Sequence, residues 1–337
     1  MATIKEIAKE AGTSPSTVSI ILGGKAEQRK ISQATQEKVL EAAARLGYKP
    51  NIAARSLRDG SKNDELVIAM FWAQDFRASM MIRFMDGLRK AMTECGHKIR
   101  LVTYPYQNDH MEEETSLNST ADFHAAIICN ASYQDLAFLE DNSLPIPVVL
   151  YNRICNGYSS VNVDDFEMGR MAAEAFVQAG CTDATVLTGP PAFIGMENRV
   201  HGFRNTCEQL GLTVNIERYC ENSIAGGYRA FLRSYQKKKK ASLPSAVFCG
   251  SAAIAHGVFR ACYDTGLTAA DVPKTIAIGN GAEDNDSYSI PSLSVINVPM
   301  EEMAAECLDL ALGLINGEIT EPQQRMLAVE YIKRESC

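Results

Sequence analysis

Short apolar runs alternate with amphipathic stretches along the chain after residue 65, and this alternation restricts the possible folds more than any other feature. The runs are LVIAMF at 66–71, IRLVTY at 99–104, AAIIC at 125–129, PVVLY at 147–151, ATVLT at 184–188, SAVFC at 245–249 and TIAIG at 275–279. Such runs are typical of strands buried on both faces, and helices between such strands produce parallel sheets. The units are too many for one sheet, so we predict an α/β core of two doubly wound lobes with a ligand-binding cleft between them.

The first sixty residues follow a helical pattern instead. The first helix ends at Gly12, and its apolar residues recur at the spacing of one buried face: Ile4, Ile7, Ala8 and Ala11. A second helix begins with Ser14 as its cap and with Pro15 at its first position, where a missing N–H has no effect. A third begins after Ser32 and carries the apolar residues Val39, Leu40, Ala43 and Leu46. We predict three short helices that share one small core.

Residues 49–58, KPNIAARSLR, form a capped helical stretch of only about two turns, which is too short to be stable alone in water. Its helicity must therefore be conditional. The polar segment DGSKN at 59–63 follows it and is the natural domain boundary.

Charge is distributed unevenly between the two parts of the chain. The whole chain carries a net charge of −8. Residues 1–62 contain eleven Lys or Arg and six acidic residues, a net of +5, so residues 63–337 carry −13. A basic head on an acidic body indicates that only the head contacts the phosphates of a nucleic acid.

The cysteine pattern and the N-terminal sequence indicate the cellular compartment in which we expect the protein. The ten cysteines are scattered without a C-x-x-C pair and the five histidines lie at wide intervals, so we expect reduced thiols, no metal site and no cofactor. The N-terminus, MATIKEIAKEAG, lacks the apolar region of a secretory signal, and no apolar run is long enough to span a bilayer. We therefore expect a cytoplasmic protein without a membrane partner.

Several segments of the chain form an ordered set of motifs. In the head they are IKEIAKEAGTSPSTVSIIL, RLGYKPN and AARSL, and in the body they are VDDFEMGRMAAEAFVQAGC, VLTGPPAFIGMENRVHGFR, GGYRAF, PSAVFCGSAAIAHG, TIAIGNG and PSLSVINVP. This set resembles the LacI/GalR family of lactose-repressor-type transcriptional regulators over essentially the whole chain. The resemblance implies a helix-turn-helix head and a periplasmic-binding-protein-like core that senses a small molecule, such as a sugar, a sugar acid or a related metabolite. It also implies a homodimer on nucleoid DNA that binds a palindromic double-stranded operator through consecutive major grooves.

The resemblance divides the chain into a helix-turn-helix head with a hinge helix at 1–62 and an effector-binding and dimerisation core at 63–337. Within the core we expect lobe 1 at about 63–162 and 294–324, and lobe 2 at about 163–293 and 325–337. The implied function is sequence-specific regulation of transcription, as a repressor controlled by a small-molecule effector bound between the lobes.

By resemblance, three residues of the second helix occupy the positions that read base edges: Pro15, Ser16 and Ile20. Ser16 is the only one with a hydrogen-bonding side chain, and Ile20 is limited to contacts such as a thymine methyl. Further contacts to phosphates, or helix caps, are assigned to Thr13, Ser14, Thr17 and Ser19. For Ser14 and Thr17, capping alone and phosphate contact both stay open.

The hinge resembles the segment in which family members insert a leucine into the minor groove, which makes Leu57 the expected wedge. The alternative is packing of Leu57 on Leu46 or Tyr48. The remaining predicted DNA contacts of this segment are Lys49, Asn51, Arg55 and Arg58.

In the core, GMENRVHGF matches the segment that carries an effector-binding arginine in the family, so Arg199 is expected in the cleft. The alternative for Arg199 is a salt bridge on a helix surface. Asn130 and Asn152 fall at predicted strand ends, where they serve either the cleft or the local turn. Phe193 and Asn280 are expected to line the cleft beside Arg199.

The expected acids of a sugar site are missing. Ala252 and Gly281 stand where many relatives have an acid, and Asn222 stands at the cleft position where a stacking aromatic is common. A neutral pyranose is therefore not the expected ligand. We predict an anionic or otherwise atypical effector, because a guanidinium is suited to carboxylates as well as to hydroxyls.

Two other classes of protein are compatible with parts of the sequence. A solute-binding receptor would use the same two-lobed body without regulatory DNA binding, and an α/β enzyme would need an acid/base constellation that the sequence does not offer. No GxGxxG, P-loop or nucleophile-elbow pattern is present, so we expect no catalysis. The sequence does not identify the effector or the operator. It also leaves open whether the effector induces, co-represses or activates, and whether the protein is a dimer or a tetramer.

Overall fold

The computed structural model describes residues 4–22, 26, 29–46, 65–74, 77, 80–120, 122–238, 243–268 and 270–337. The predicted hinge helix lies outside these residues. With it lie the predicted DNA contacts Lys49, Asn51, Arg55, Leu57 and Arg58.

The head consists of three helices around one core, as predicted. They are α1 (Ile4–Glu10), α2 (Pro15–Leu22) and α3 (Gln33–Arg45). The core is built from one face of each helix: Ile7, Ala8, Val18, Ile21, Val39, Ala42 and Ala43. The prediction for α3 was wrong at Leu40, which is 52% exposed because its neighbour Val39 takes the inward position.

The first lobe contains a parallel sheet of six strands in the order β11-β5-β4-β3-β1-β2. Its first five strands and two helices are β1 (Leu66–Ala73), α4 (Met81–Glu94), β2 (Ile99–Tyr106), β3 (Ala125–Cys129), α5 (Tyr133–Asp141), β4 (Val148–Tyr151) and β5 (Ser159–Val163). The predicted run at 125–129 coincides with β3, and the apolar residues of β1 and β3 are buried on both faces. That double burial is the property from which the parallel sheet was predicted.

The second lobe repeats this plan with six strands in the order β12-β10-β9-β8-β6-β7, in which only β12 is antiparallel to its neighbour. Its elements up to the last crossover are α6 (Asp165–Gln178), β6 (Asp183–Thr188), α7 (Ile194–Leu210), β7 (Thr213–Tyr219), α8 (Ile224–Lys238), β8 (Ala246–Cys249), α9 (Ala252–Asp264), β9 (Lys274–Gly279), α10 (Glu283–Ser287) and β10 (Ser294–Asn297). The chain then adds α11 (Met300–Asn316), β11 (Gln324–Leu327) and β12 (Glu330–Ile332). The two-lobed α/β prediction is confirmed.

Two boundaries of the predicted lobes were wrong. The segment at 294–297 was assigned to lobe 1, but it forms β10 and pairs with β9 of the second sheet. The residues after 324 were assigned to lobe 2, but β11 pairs with β5 of the first sheet. The chain therefore crosses between the lobes after residues 163, 297 and 327. The position of β11 depends on pairing with β5, a strand far away in the sequence, and local sequence patterns do not contain this information.

Strand β5 was missed because its sequence, SSVNV, is rich in polar residues, although all five residues are buried. Its polar side chains are satisfied inside the lobe. The Asn162 Nδ2 donates to Ser160 Oγ at 2.9 Å, and the backbone N–H of Gln323 donates to Ser159 Oγ at 3.1 Å. These hydrogen bonds offset the free-energy cost of burying polar groups, so polar residues are tolerated in this strand.

All ten cysteines are free, and eight of them are buried. In the described part of the chain, no helix is both long and apolar enough to cross a membrane.

Helices α6 and α7 pack with their backbones in direct contact, and glycines make this possible. A Cβ at Gly169 would lie 2.0 Å from the Arg199 carbonyl oxygen, and a Cβ at Gly202 would lie 2.1 Å from the Phe166 carbonyl oxygen. Larger residues would push the helices apart. The two helices also carry Asp165 and Arg199, so their close packing sets the distance between these side chains.

Replacing Gly202 with Ala tests this contact. We expect Gly202→Ala to lower the free energy of unfolding by roughly 1–3 kcal/mol, the usual range for overpacking a tight site. Urea denaturation followed by circular dichroism measures the change. Gln209→Ala, at an exposed position of the same helix, is the control and should change stability by less than about 0.5 kcal/mol. Equal stabilities of the two variants would contradict the close packing.

Candidate functional site

The carboxyl ends of the strands of both sheets converge on one pocket between the lobes. The first lobe contributes Arg77, Met80, Asn130, Tyr151, Asn152 and Arg153, and the second contributes Phe193, Met196, Arg199, Asn222, Gly250 and Asn280, with Val298 and Met300 from the crossover. The space between these residues measures about 500 Å³ including its open mouth. In open parallel sheets, this edge is where ligands bind.

All six residues predicted for the cleft line this pocket: Asn130, Asn152, Phe193, Arg199, Asn222 and Asn280. Their contact with an effector stays a prediction. Sequence reasoning missed the other eight lining residues. A signal was available for Arg153, which directly follows Asn152 at the end of β4, whereas Arg77 and Met80 lie in a connection without a recognisable pattern.

Asn130 and Asn152 both have left-handed backbones, with φ of +64° and +49°. Asn tolerates this conformation better than other residues with side chains, so both positions turn the chain sharply where a strand ends. Asn152 also has a structural contact, since its Oδ1 accepts a 3.4 Å hydrogen bond from the Val163 backbone N–H. The turn role and the position in the cleft therefore coexist.

Arg199 forms an ion pair, but not the surface pair considered as the alternative. Its Nε donates to Asp165 Oδ1 at 2.7 Å, and both side chains are only 11% exposed. Asp165 is held against the first turn of α7, because a Cβ at Gly195 would lie 2.0 Å from its Oδ2. A carboxylate at a helix N-terminus is also favoured by the helix dipole. The pair thus fixes the Arg199 guanidinium at the pocket wall and neutralises it.

Arg153 is a deeply buried charge in the pocket, at 4% exposure, and Arg77 beside it is 2% exposed. The Nε of Arg153 donates to the carbonyl oxygen of Ala131 and its Nη1 to that of Asn152. The guanidinium carbon lies 3.7 Å from the centre of the Phe193 ring, which belongs to the other lobe. Burial and the charge of Arg77 lower the pKa of Arg153 to about 9, so the group is protonated at neutral pH.

Two asparagines complete the polar wall on the second lobe. The Ser251 hydroxyl donates to Asn222 Oδ1 at 2.5 Å and also caps α9 by accepting from the Ile254 backbone N–H. Asn280 follows β9 directly, and its own N–H donates to the Ile278 carbonyl oxygen. The side chain of Asn222 and the backbone of Asn280 are therefore both held by hydrogen bonds at the pocket wall.

The lining of this pocket is suited to binding rather than to acid/base chemistry. Among the described residues it contains three arginines and four asparagines, but no Asp, Glu, His, Ser or Cys. Guanidinium and amide groups offer directed hydrogen-bond donors, and the Met and Phe side chains supply apolar area. No group of three His, Cys, Asp or Glu side chains in the described residues could hold a metal ion.

The predicted DNA-reading residues lie on the face of α2 that points away from the core of the head. Pro15 and Ser16 are exposed and Ile20 is half-buried, whereas Val18 and Ile21 are buried. Ser14, Thr17, Thr13 and Ser19 border the same face and are exposed or half-buried. Ser14 caps α2, since its Oγ accepts from the Thr17 N–H at 3.1 Å and lies 2.8 Å from the Thr17 hydroxyl.

Comparison with known proteins relates both parts of the chain to regulators. The family model described as bacterial regulatory proteins of the lacI family matches residues 3–51. The periplasmic binding protein-like domain matches residues 173–337. Both parts of the fold prediction, the helix-turn-helix head and the two-lobed core, agree with these matches.

Relatives of the full length are repressors. The HTH-type transcriptional repressor PurR of Erwinia tasmaniensis is 25% identical over 343 residues, covering 100% of this chain and 97% of the repressor. The ribose operon repressor of Escherichia coli is 26% identical over 336 residues, covering 97% of this chain and 96% of the repressor. A solved LacI family transcription regulator from Clostridium acetobutylicum is 33% identical, with a TM-score of 0.75, over 80% of this chain and 99% of that one.

The buried Arg199–Asp165 pair generates a prediction about stability. Asp165→Asn removes the charge that compensates Arg199, and we expect it to lower the free energy of unfolding by about 3 kcal/mol. Glu174→Gln on the same helix is the matched control, because it removes a pair with Arg170 in which both side chains are partly exposed, at 38% and 39%. That change should stay below about 1 kcal/mol. Urea denaturation of both variants decides the matter, and equal losses would show that the burial of the Asp165 pair has no energetic weight.

Proposed function

The chain belongs to the LacI family of bacterial transcriptional regulators, and we propose that it is a repressor whose head binds operator DNA under the control of an effector in the pocket between the lobes. The observation that carries the proposal is the combination of two sites in one chain. A three-helix head presents an exposed helix face, and all six predicted cleft residues line one pocket of the core. The repressors named above support repression as the direction of regulation.

In this proposal α2 enters the major groove, which is wide enough to admit one helix. Pro15, Ser16 and Ile20 meet the base edges, because they lie on the outward face of α2. Thr13, Ser14, Thr17 and Ser19 contact the flanking phosphates. Few hydrogen-bonding groups face the bases, so shape and apolar contact contribute much of the sequence preference.

The hinge adds a second set of proposed contacts. The sequence of residues 49–58 supports a helix that forms on DNA, with Leu57 inserted into the minor groove. Lys49, Asn51, Arg55 and Arg58 would then contact the backbone of the duplex. A two-fold symmetric dimer would match a palindromic operator, with one head on each half-site. This assigns the protein to the nucleoid in the cytoplasm and gives it no catalytic step.

Contacts between the lobes offer a route from the pocket to the rest of the molecule. Arg83 of α4 forms a bidentate ion pair with Glu301, with both N–O distances at 2.6 Å. The same guanidinium donates to the carbonyl oxygens of Gly279 in the second lobe and Val298 in the crossover, each at 3.2 Å. Gly279 precedes Asn280, and Val298 itself lines the pocket. An effector that moves these residues would therefore change the relation of the two lobes.

The coupling between effector and DNA has a thermodynamic consequence. If the effector changes operator affinity by some factor, bound operator must change effector affinity by the same factor. Both signs of this coupling are compatible with a two-lobed core, since either the open or the closed arrangement can be the one that binds DNA.

A selection experiment tests the function. Purified full-length protein is incubated with random duplexes, bound sequences are recovered, and the selected site is measured by fluorescence anisotropy between 50 and 200 mM salt, roughly the range over which phosphate contacts show their effect. We expect a palindromic site whose affinity falls steeply with salt. Arg55→Gln should reduce the slope of log K against log salt by about one unit. Recovery of no palindrome, with or without a pool of metabolites, would reject regulatory DNA binding and favour a solute receptor.

Two variants of Ser14 distinguish its role as a helix cap from a contact with a DNA phosphate. Ser14→Ala removes the cap of α2 and should lower the stability of the protein by roughly 0.5–2 kcal/mol. Ser14→Asp retains a good cap, so it should keep the stability, but its charge repels phosphate and should weaken operator binding. Thermal unfolding and anisotropy, measured on both variants, give the two readouts. Normal operator affinity of Ser14→Asp would restrict Ser14 to capping.

A further inference from the structure

Arg153 carries a buried positive charge, and the described part of the chain places no ion-pair partner beside it. Among the described residues, no carboxylate lies within ion-pair distance of its guanidinium, and its hydrogen bonds go to two backbone carbonyl oxygens. Its Nη2 is buried and has no hydrogen-bond partner among those residues. An uncompensated buried charge is unfavourable, so the arrangement is incomplete without a counter-ion.

The charges around Arg153 do not supply this counter-ion. Asp165, a carboxylate whose charge acts on Arg153, is already bound to Arg199 at 2.7 Å. Arg77 and Arg199 line the same pocket, and both lower the pKa of Arg153, as burial does to a greater extent. Because no Asp or Glu of the described residues lines the pocket, its interior is electropositive.

A second donor next to Arg153 is also unused. Asn130 is 2% exposed, and its Nδ2 is buried without a hydrogen-bond partner among the described residues. Arg153 is anchored to the carbonyl oxygen of Ala131, the residue after Asn130, so the two unused donors belong to one local structure. The Phe193 ring covers the flat face of the guanidinium and leaves its edge for an in-plane acceptor.

We propose that the effector is a small hydroxylated acid whose carboxylate or phosphate group is the counter-ion of Arg153 and also accepts a hydrogen bond from Asn130. This inference rests on the proposed function, because it describes the ligand of the same pocket. Arg199, already neutralised by Asp165, together with Asn222 and Asn280, is left for the uncharged hydroxyl groups. The space of about 500 Å³, which includes the open mouth of the pocket, restricts the ligand to a small molecule.

Thermal unfolding of the full-length protein provides the first test. The probes are D-gluconate, D-glucuronate and D-glucose 6-phosphate, with acetate and inorganic phosphate as the bare anionic groups and D-glucose as the neutral counterpart. Ionic strength is matched with chloride. We expect a saturable rise in melting temperature with at least one anion and none with D-glucose, because only ligands that bind the folded state raise it. The sugar acids and the phosphates form separate arms that identify the anionic group.

The indole of Trp72, the only tryptophan in the chain, provides an independent readout. Its ring lies 6.5 Å from the ring of Tyr151, which lines the pocket. Occupation of the pocket should therefore change the emission of Trp72 with the same midpoint as the thermal response. A rise in melting temperature with D-glucose and none with the anions, or no saturable response to any anion in either assay, would overturn the proposal.

Variants show whether Arg153 is the group responsible. Arg153→Gln should weaken binding of the responding anion roughly tenfold to a hundredfold, the effect of losing a charge-assisted hydrogen bond. Arg153→Lys keeps the charge and should retain part of the response. Arg170→Gln, which removes an arginine on the exposed side of α6, is the control and should bind normally. Equal anion affinity of Arg153→Gln and the unchanged protein would reject the role of Arg153.

Asn130→Asp keeps the test valid even if Arg153→Gln fails to fold. Asp tolerates the left-handed backbone of this position and places a fixed carboxylate beside Arg153. We expect this built-in counter-ion to raise the melting temperature of the ligand-free protein and to abolish the response to added anions. A lower melting temperature with the anion response intact would show that Arg153 needs no counter-ion.

The inference and the proposed function fail in different ways. If a neutral metabolite stabilises the protein and changes operator affinity, the regulator stands and the anionic effector is rejected. If an anion stabilises the protein through Arg153 but leaves operator affinity unchanged at saturation, the ligand class stands and effector control is rejected.

Discussion

The parallel direction of the strands is the constraint from which the pocket follows. Because all strands of a parallel sheet end at one edge, the residues after them meet there even when they are far apart in the chain. Asn130, Asn152, Gly250 and Asn280 each follow a strand directly, and they come from both lobes. The crossovers turn these two edges toward one another, so that the pocket is made of connections while the strands behind them supply a rigid core.

The buried arginines near the pocket differ in whether the protein compensates their charge. The lobe interfaces contain two kinds of arginine: Arg83 and Arg199 have carboxylate partners, whereas Arg153 is held by carbonyl oxygens and an aromatic ring. The paired arginines stabilise structure, since their charges are compensated within the protein. The unpaired one is the group for which we propose an anionic ligand as the counter-ion.

The sequence was a good guide wherever a structural property is local. Runs buried on both faces, such as 125–129, marked strands because apolar side chains on every residue leave no other solution. Strand β5 escaped this reasoning, since Ser160 and Asn162 satisfy each other in the interior and hide the pattern. The lobe assignment of β10 and β11 also failed. For β11 the assignment depends on its pairing with β5, which lies more than a hundred residues earlier in the chain. The residues predicted for the cleft do lie in one pocket. The lack of a carboxylate partner for Arg153 among the described residues depends on the three-dimensional arrangement of its neighbours, which the sequence does not contain.

The Arg83 contacts have a consequence for how such a pocket can change over evolution. Two of the acceptors of Arg83 are main-chain oxygens, at Gly279 and Val298, which exist whatever side chains the chain carries. The side chain at position 280 can therefore vary, and with it the preferred ligand, while the link between the lobes is inherited intact. If the Arg83 contacts carry the coupling proposed above, a new ligand can be adopted through few substitutions in the pocket while these contacts are kept.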